Sequence, residues 1–182
     1  DISFTIPALA GLLEDSKNFN YNYQSSNRKF SKKLIIDEKF IINFGVGGIH
    51  GDRVKNNKKI PFVGTDIIEL DAVSFYPSIV LNEEIAPTPC KAKFLQVYRA
   101  VVNERIEAKK QGDKKTADCL KIVINATFGK FGDKYSKIYN PKNMIKVTLN
   151  AQFRLLQLFE LLYLNGVEII SLNTDGIYCK NH

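Results

Sequence analysis

The chain has 182 residues, 45% of them hydrophobic, which is enough for one compact domain or for one domain with a small appendage. A net charge of +7 favours an anionic partner such as a nucleic acid, although many basic proteins bind none. The three separated cysteines argue against a zinc site or a disulfide framework, and no apolar run is long enough to span a membrane.

The first half of the chain predicts strands. Residues 1–33 are weakly patterned and include NFNYNYQSSNRKFSKK, a polar stretch typical of a loop or linker. KLIIDEKFIINFGVGGIHG predicts short apolar strands that end in a glycine cluster, and TDIIELDAVSFYPSIVL begins as a strand. Pro77 fits only where such a strand ends or a helix begins.

The second half predicts helices. One helix covers about residues 93–111 and another about residues 116–128, and the break QGDKK makes them a helical hairpin. A third helix, about residues 148–164, begins with a Thr cap and is apolar on nearly every side, so it should be largely buried. A two-stranded hairpin follows, with Asn173-Thr174-Asp175-Gly176 as its turn.

Two acidic residues stand where strands end or turn. A carboxylate at Asp71, after an apolar strand, is unusual unless it is solvated, paired or bound to a cation. Asp175 lies in the predicted turn, where an Asp commonly serves local hydrogen bonds. Taken alone, Asp71 is best explained as a strand-end residue that faces water, and Asp175 as a turn residue. Together at one sheet edge, the two carboxylates could hold a pair of Mg²⁺ ions.

Two other groups of residues have both a functional and a plain explanation. One predicted helix carries Arg105 and Lys109 on the same face, and the next carries Lys121 and Asn125 on the same face. If the two faces meet, they form a cationic groove that suits a polyphosphate; otherwise they are ordinary solvated faces. FGVGGIHG is not a dinucleotide fingerprint, because His50 stands where Gly is needed. It allows close approach of a ligand to the backbone, or it only makes a turn.

The order of these stretches resembles that of the motifs of family B DNA polymerases. DAVSFYPSIV, KIVINATFGKFG and NTDGIY stand where the family has D-x-x-S-L-Y-P-S, K-x-x-x-N-S-x-Y-G and Y-x-D-T-D-S. VGGIHG is similar to the family's G-G/A motif, which touches the template, and Arg105-x-x-x-Lys109 to the basic signature of its fingers. The resemblance covers about residues 44–178. The departures are Phe75 for Leu, Ala126 for Ser, Phe128 for Tyr, Asn173 for Asp and Gly176 for Ser.

The resemblance implies an α+β fold, an antiparallel-sheet polymerase palm with a helical-hairpin fingers subdomain. Residues 1–43 would lead into the palm, residues 44–92 and 131–182 would form its two parts, and residues 93–130 would form the fingers. The short fingers resemble those of protein-primed or phage-type members. An exonuclease domain and a thumb are absent from this chain, which starts without Met, so we expect a piece of a longer protein.

The resemblance also implies residue roles. Asp71 and Asp175 would be catalytic and would bind two Mg²⁺ ions, with Mn²⁺ as a substitute. The residues that would bind the triphosphate are Arg105, Lys109 and Lys121. Those that would contact the nucleotide or its sugar, with Tyr76 excluding a 2′-hydroxyl, are Ser74, Phe75, Tyr76 and Asn125. The DNA contacts would be Gly47, Gly48 and Gly129. The roles of Asn173 and Thr174 are left open.

The implied function is template-directed DNA synthesis, with nucleotidyl transfer from a dNTP to a primer 3′-hydroxyl. Primer–template DNA and dNTPs would be the partners, with a terminal protein or replication accessory factors as further candidates. The expected location is the cytoplasm, which is that of the host cell if the protein is viral and the replication compartment otherwise, and no membrane partner is expected. The alternative is a degenerate polymerase relic that binds nucleic acid without catalysis. A reverse-transcriptase-like palm is disfavoured because its paired Asp-Asp turn is missing.

Overall fold

A computed structural model of the chain describes residues 1–20 and 30–181. Most of the Asn-rich stretch predicted as a loop or linker therefore lies outside the described residues. The chain divides into two compact units. Unit 1 comprises Asp1–Ala72 and Thr148–His182, and unit 2 comprises Val73–Val147.

Unit 1 is built on an antiparallel sheet. Its strands are β1 (Ser31–Ile36), β2 (Phe40–Gly45), β3 (Gly48–Lys55), β4 (Lys58–Lys59), β5 (Ile67–Asp71), β6 (Ile169–Asn173) and β7 (Gly176–Lys180). They lie in the order β1-β2-β3-β6-β7-β5, with β4 paired to β3, and every pairing is antiparallel. The predicted α+β class with an antiparallel sheet is confirmed.

One face of the sheet is buried under the helix α5 (Pro141–Leu164), of which unit 1 holds the part from Thr148 onward. The ring of Phe44 lies 4.9 Å from that of Phe153, and the ring of Phe40 lies 5.1 Å from that of Phe159. Because side chains alternate along a strand, the opposite face carries the residues between the buried ones. That face is polar where β3 and β6 pair, with His50, Asp52, Ser171 and Asn173, and apolar at Ile41 of β2. The polar part positions the candidate site.

Two details of the helix predictions are wrong. The weakly patterned N-terminal segment contains a helix, α1 (Pro7–Asn18), which buries Leu9 and Leu12. Helix α5 begins at Pro141 and not at Thr148, because Asn140 caps it by accepting a hydrogen bond from the Asn143 amide at 3.0 Å. The prediction that this helix is largely buried from residue 148 onward is confirmed.

Unit 2 is helical. Its elements are α2 (Phe75–Asn82), a short 3-10 turn (Thr88–Cys90), α3 (Lys91–Lys110), α4 (Lys114–Gly129) and the first residues of α5. The predicted helical hairpin is α3 and α4, with bounds within two residues of those expected. Asp113 caps α4 by accepting a hydrogen bond from the Thr116 amide at 3.1 Å. Hydrogen bonding from the Thr116 side chain, and then from its amide, lowers the pKa of the Asp113 carboxyl.

Pro77 lies in the first turn of α2, where its missing amide hydrogen removes no helical hydrogen bond. This agrees with the prediction that Pro77 stands where a strand ends or a helix begins.

In the parts of the chain that the structure describes, no helix has both the length and the apolar composition needed to cross a membrane.

Candidate functional site

The two predicted carboxylates lie at the same end of the unit 1 sheet. Asp71 is the last residue of β5 and pairs across the sheet with Gly176, which directly follows Asp175. The backbone connects them further, since the Ala72 amide donates to the Asp175 carbonyl oxygen at 3.0 Å. Both carboxylate-bearing residues are exposed. Asp71, at the end of β5, and Asp175, in the turn that precedes β7, are 104 positions apart in the chain and thus lie at the same end of the sheet.

A third carboxylate, Glu69, lies on the same face as Asp71 because it is two residues earlier in β5. Glu69 is opposite Tyr178 and accepts a short hydrogen bond from its hydroxyl. This bond raises the pKa of Tyr178, and the negative charges of Glu69, Asp71 and Asp175 add to the effect. Sequence reasoning missed Glu69, although the alternation of β5 was a usable signal.

The charge at this sheet end fits a divalent cation. Mg²⁺ prefers carboxylate oxygens and commonly takes only one or two from the protein, with substrate phosphates completing its shell. Asp71 and Asp175 are exposed carboxylates of that kind. No group of three or more His, Cys, Asp or Glu side chains arranged for a metal ion is found among the described residues.

The turn between β6 and β7 is attached to β3. The Thr174 amide donates to the Ile49 carbonyl oxygen at 3.0 Å, and Asn173 pairs across the sheet with His50. The Thr174 hydroxyl donates to the Asn173 side-chain oxygen at 3.3 Å. The predicted two-residue turn is present, but residues 173–176 all keep negative φ, so the turn does not use the left-handed region.

The glycine cluster forms the turn between β2 and β3. Gly48 has φ of +138°, a conformation in which a side chain would be strained, whereas a Cβ on Gly47 would meet no protein atom within 4 Å. The buried side chain of Gln152 holds this turn, because it donates to the Gly45 carbonyl oxygen at 2.8 Å and accepts from the Gly45 amide at 3.3 Å. Gly47 is therefore an exposed backbone position with open space beside it.

In unit 2, residues of the stretch DAVSFYPSIV contact residues of the helical hairpin. Tyr76 stacks on Phe128, with ring centroids 5.2 Å apart and ring planes 4° from parallel. Phe75 lies against Tyr76 at 6.0 Å. Arg105 donates a short hydrogen bond to the Ser74 hydroxyl, and its Nε atom is buried with no hydrogen-bond partner in the described residues. Arg105 is thus held in place by a residue of that stretch.

The remaining predicted residues of unit 2 lie on the hairpin surface. Lys109 is exposed in the last turn of α3, and Lys121 and Asn125 are exposed one turn apart on α4. Gly129 ends α4, and a Cβ there would meet no protein atom within 4 Å. These side chains and this backbone position are accessible to a ligand.

Comparison with known proteins agrees with the coarse part of this picture. No protein-family model matches the chain. The chain is similar to DNA polymerase II of Escherichia coli (strain K12), with 30% identity over 142 residues that cover 65% of this chain. It spans about a fifth (18%) of the length of that curated relative. This distant similarity supports a function related to that of a DNA polymerase.

Proposed function

We propose that this chain is the palm and fingers core of a family B DNA polymerase of phage or viral type. Unit 1 would supply the palm and unit 2 the fingers. The observation that carries the proposal is that Asp71, the last residue of β5, and Asp175, in the turn before β7, lie at the same end of an antiparallel sheet although they are distant in sequence. The similarity to a DNA polymerase supports it. DNA and dNTPs would be the partners of the complete protein.

The proposed chemistry is the attack of a primer 3′-hydroxyl on the α-phosphate of a dNTP. Mg²⁺, when bound by Asp71 and Asp175, would supply charge neutralisation for the attacking hydroxyl and for the leaving pyrophosphate. The cations of the hairpin, Arg105, Lys109 and Lys121, would bind the triphosphate and stabilise its developing charge. Gly47 and Gly48 would let the template backbone approach closely, since a side chain at either position would intrude on it or strain the turn.

Sugar selection would depend on Tyr76. Its ring is fixed by stacking on Phe128, so the ring cannot easily move aside for a 2′-hydroxyl, and discrimination would come from a steric clash. We expect Tyr76→Val to raise the ratio of ribonucleotide to deoxynucleotide incorporation, measured by competition between labelled nucleotides. Loss of the ring stack should also cost about 0.5–1.5 kcal/mol of stability beyond the lost area.

A matched control separates these two effects. Phe94→Leu removes another ring stack of unit 2, the one between Phe94 and Tyr98, whose centroids are 5.5 Å apart. The substitution leaves every residue of the stretch DAVSFYPSIV unchanged. This variant should lose stability and keep the sugar preference unchanged. Equal sugar preference in both variants would show that Tyr76 is a packing residue only.

A second candidate function has one observation in its favour. Asn173 stands in the β6–β7 turn where family members carry an acid, which is compatible with a relic that binds nucleic acid without catalysis. Asn keeps the size of Asp and one acceptor oxygen but loses a negative charge. We still favour an active enzyme, because both carboxylate residues, Asp71 and Asp175, are present at the same end of the sheet.

Primer extension by the full-length protein, titrated with Mg²⁺, decides between the two functions. We expect the unaltered protein to extend a primer, and Asn173→Asp to lower the Mg²⁺ concentration needed for half-maximal extension, because the added charge attracts the cation. No extension with Mg²⁺ or Mn²⁺ in the unaltered protein, together with extension by Asn173→Asp, would establish the relic.

A further inference from the structure

The hairpin that joins β3 to β4 concentrates positive charge in a fixed geometry. Asn56 and Asn57 form its turn with φ of 52° and 60°, as in a type I′ turn, and Lys55 and Lys58 face each other as the closing cross-strand pair. Lys59 follows immediately. Residues 55–59 are all exposed, and we refer to them as the lysine hairpin.

The lysine hairpin carries an unfavourable charge arrangement. Like charges directly opposite each other on antiparallel strands destabilise the pairing. Lys59 has an acidic partner, Asp52, at 2.5 Å, but neither Lys55 nor Lys58 forms an ion pair with any residue that the structure describes. A two-residue strand such as β4 gains little pairing energy to offset this repulsion. A polyanion placed over the two lysines would remove it.

The hairpin is also connected to the proposed active site by a single strand. Gly48 begins β3 and Lys55 ends it, so at about 3.3 Å per residue they are about 23 Å apart. This distance corresponds to about seven nucleotide steps of 3.4 Å. A groove of about 420 Å³ lies along the polar face between them, lined among others by His50, Asn173 and Lys59.

We infer that the lysine hairpin binds the phosphate backbone of the primer–template duplex, about seven base pairs from the end at which nucleotides are added. A duplex carries one negative charge per about 1.7 Å of its axis, which is twice the charge density of a single strand. Two lysines held side by side are therefore attracted more strongly to a duplex than to a single strand. The inference rests on the proposed function and adds a DNA contact to it at a separate part of unit 1.

The test uses fluorescence anisotropy of labelled primer–template DNA with the full-length protein, at several salt concentrations. Lys58→Glu would replace the like-charge pair by an opposite-charge pair, so its melting temperature should be unchanged or higher. Its affinity for a duplex of about 20 base pairs should nevertheless fall about tenfold. The slope of log affinity against log salt should become shallower by about 2, since the Lys58 contact is lost and Lys55 pairs with the introduced carboxylate instead of a phosphate.

The control is Lys17→Glu, which changes the net charge equally. Lys17 is an exposed residue of α1 that pairs with Glu14. The Lys17→Glu substitution should leave DNA affinity nearly unchanged. Shortening the duplex to about five base pairs should abolish the difference between the Lys58→Glu and unaltered proteins, because the duplex then ends before the hairpin.

Three outcomes would overturn the inference. Equal affinities of Lys58→Glu and Lys17→Glu, in a protein whose unaltered form binds and extends DNA, would refute the hairpin contact and leave the proposed function intact. A difference that persists with the short duplex and vanishes when the template overhang is shortened would assign the lysines to single-stranded template. An unaltered protein that binds no DNA would refute both the contact and the proposed function.

Discussion

Asp71→Ala is expected to abolish primer extension while leaving primer–template binding nearly unchanged. Loss of a carboxylate from a catalytic Mg²⁺ site removes several kcal/mol of charge stabilisation from the transition state, so the rate should fall about a thousandfold or more. The side chain is exposed at the end of β5, so its removal should cost little stability. Single-turnover extension and anisotropy with labelled primer–template measure the two quantities separately.

Asp175→Asn should have the same effect, because both carboxylates stand at the same sheet end. Asp15→Asn serves as a control for the loss of a carboxylate elsewhere in unit 1, since Asp15 pairs with Lys32 at 2.9 Å. This control should extend primers normally. Substantial Mg²⁺-dependent extension by Asp71→Ala would refute the assignment of the carboxylates.

Lys121→Ala and Arg105→Ala are each expected to lower kcat/KM for dNTP by about 2–4 kcal/mol of transition-state stabilisation, because each loses a charge-assisted contact with the triphosphate. The structure predicts a difference in stability between the two variants. Lys121 is exposed, so its variant should melt normally. Arg105 holds Ser74 and is partly buried, so its variant should also melt at a lower temperature.

Ser74→Ala distinguishes the two roles of Arg105. It removes the hydrogen-bond acceptor but keeps the guanidinium, so a purely structural arginine would show the same kinetics in both variants. Under our proposal Ser74→Ala, which also removes a predicted nucleotide contact, lowers kcat/KM for dNTP less than Arg105→Ala does, because the guanidinium charge remains. Lys121 would instead be a DNA backbone contact if its removal weakened primer–template binding and left the dNTP kinetics unchanged.

Elements with strong local signals were predictable from the sequence. Helices α3 and α4 have apolar periodicity and a clear break, and α4 has its own Asp cap. The turn before Gly176 was also predicted, although not its backbone conformation. Asp71 could be singled out because an acid at the end of an apolar strand is unusual. Asp175 stands in a turn, where an Asp is common, and its role was predicted from the resemblance to the polymerase motif.

The elements that the sequence did not reveal depend on distant contacts. Helix α1 is short and contains Gly11, and its start is held by the buried Glu160, which accepts from the Thr5 and Ile6 amides at 2.7 and 2.6 Å. No local pattern encodes a contact across 154 or 155 residues. The hydrogen bond between Arg105 and Ser74 also joins residues that are distant in the chain. Arg105, which was predicted only as a ligand contact, therefore also stabilises the fold.

The discontinuity of unit 1 determines when this site can form during synthesis. Among the described strands β5 pairs with β7 alone, and residues 73–147 lie between the two segments of the unit. A ribosome adding about 5–20 residues per second would need roughly 5–20 s to go from Asp71 to Asp175. Until then β5 has no strand to pair with and β3 presents an open edge. The carboxylate end of the sheet is thus the last part of unit 1 to assemble, and the nascent chain is open to edge-to-edge association during that interval.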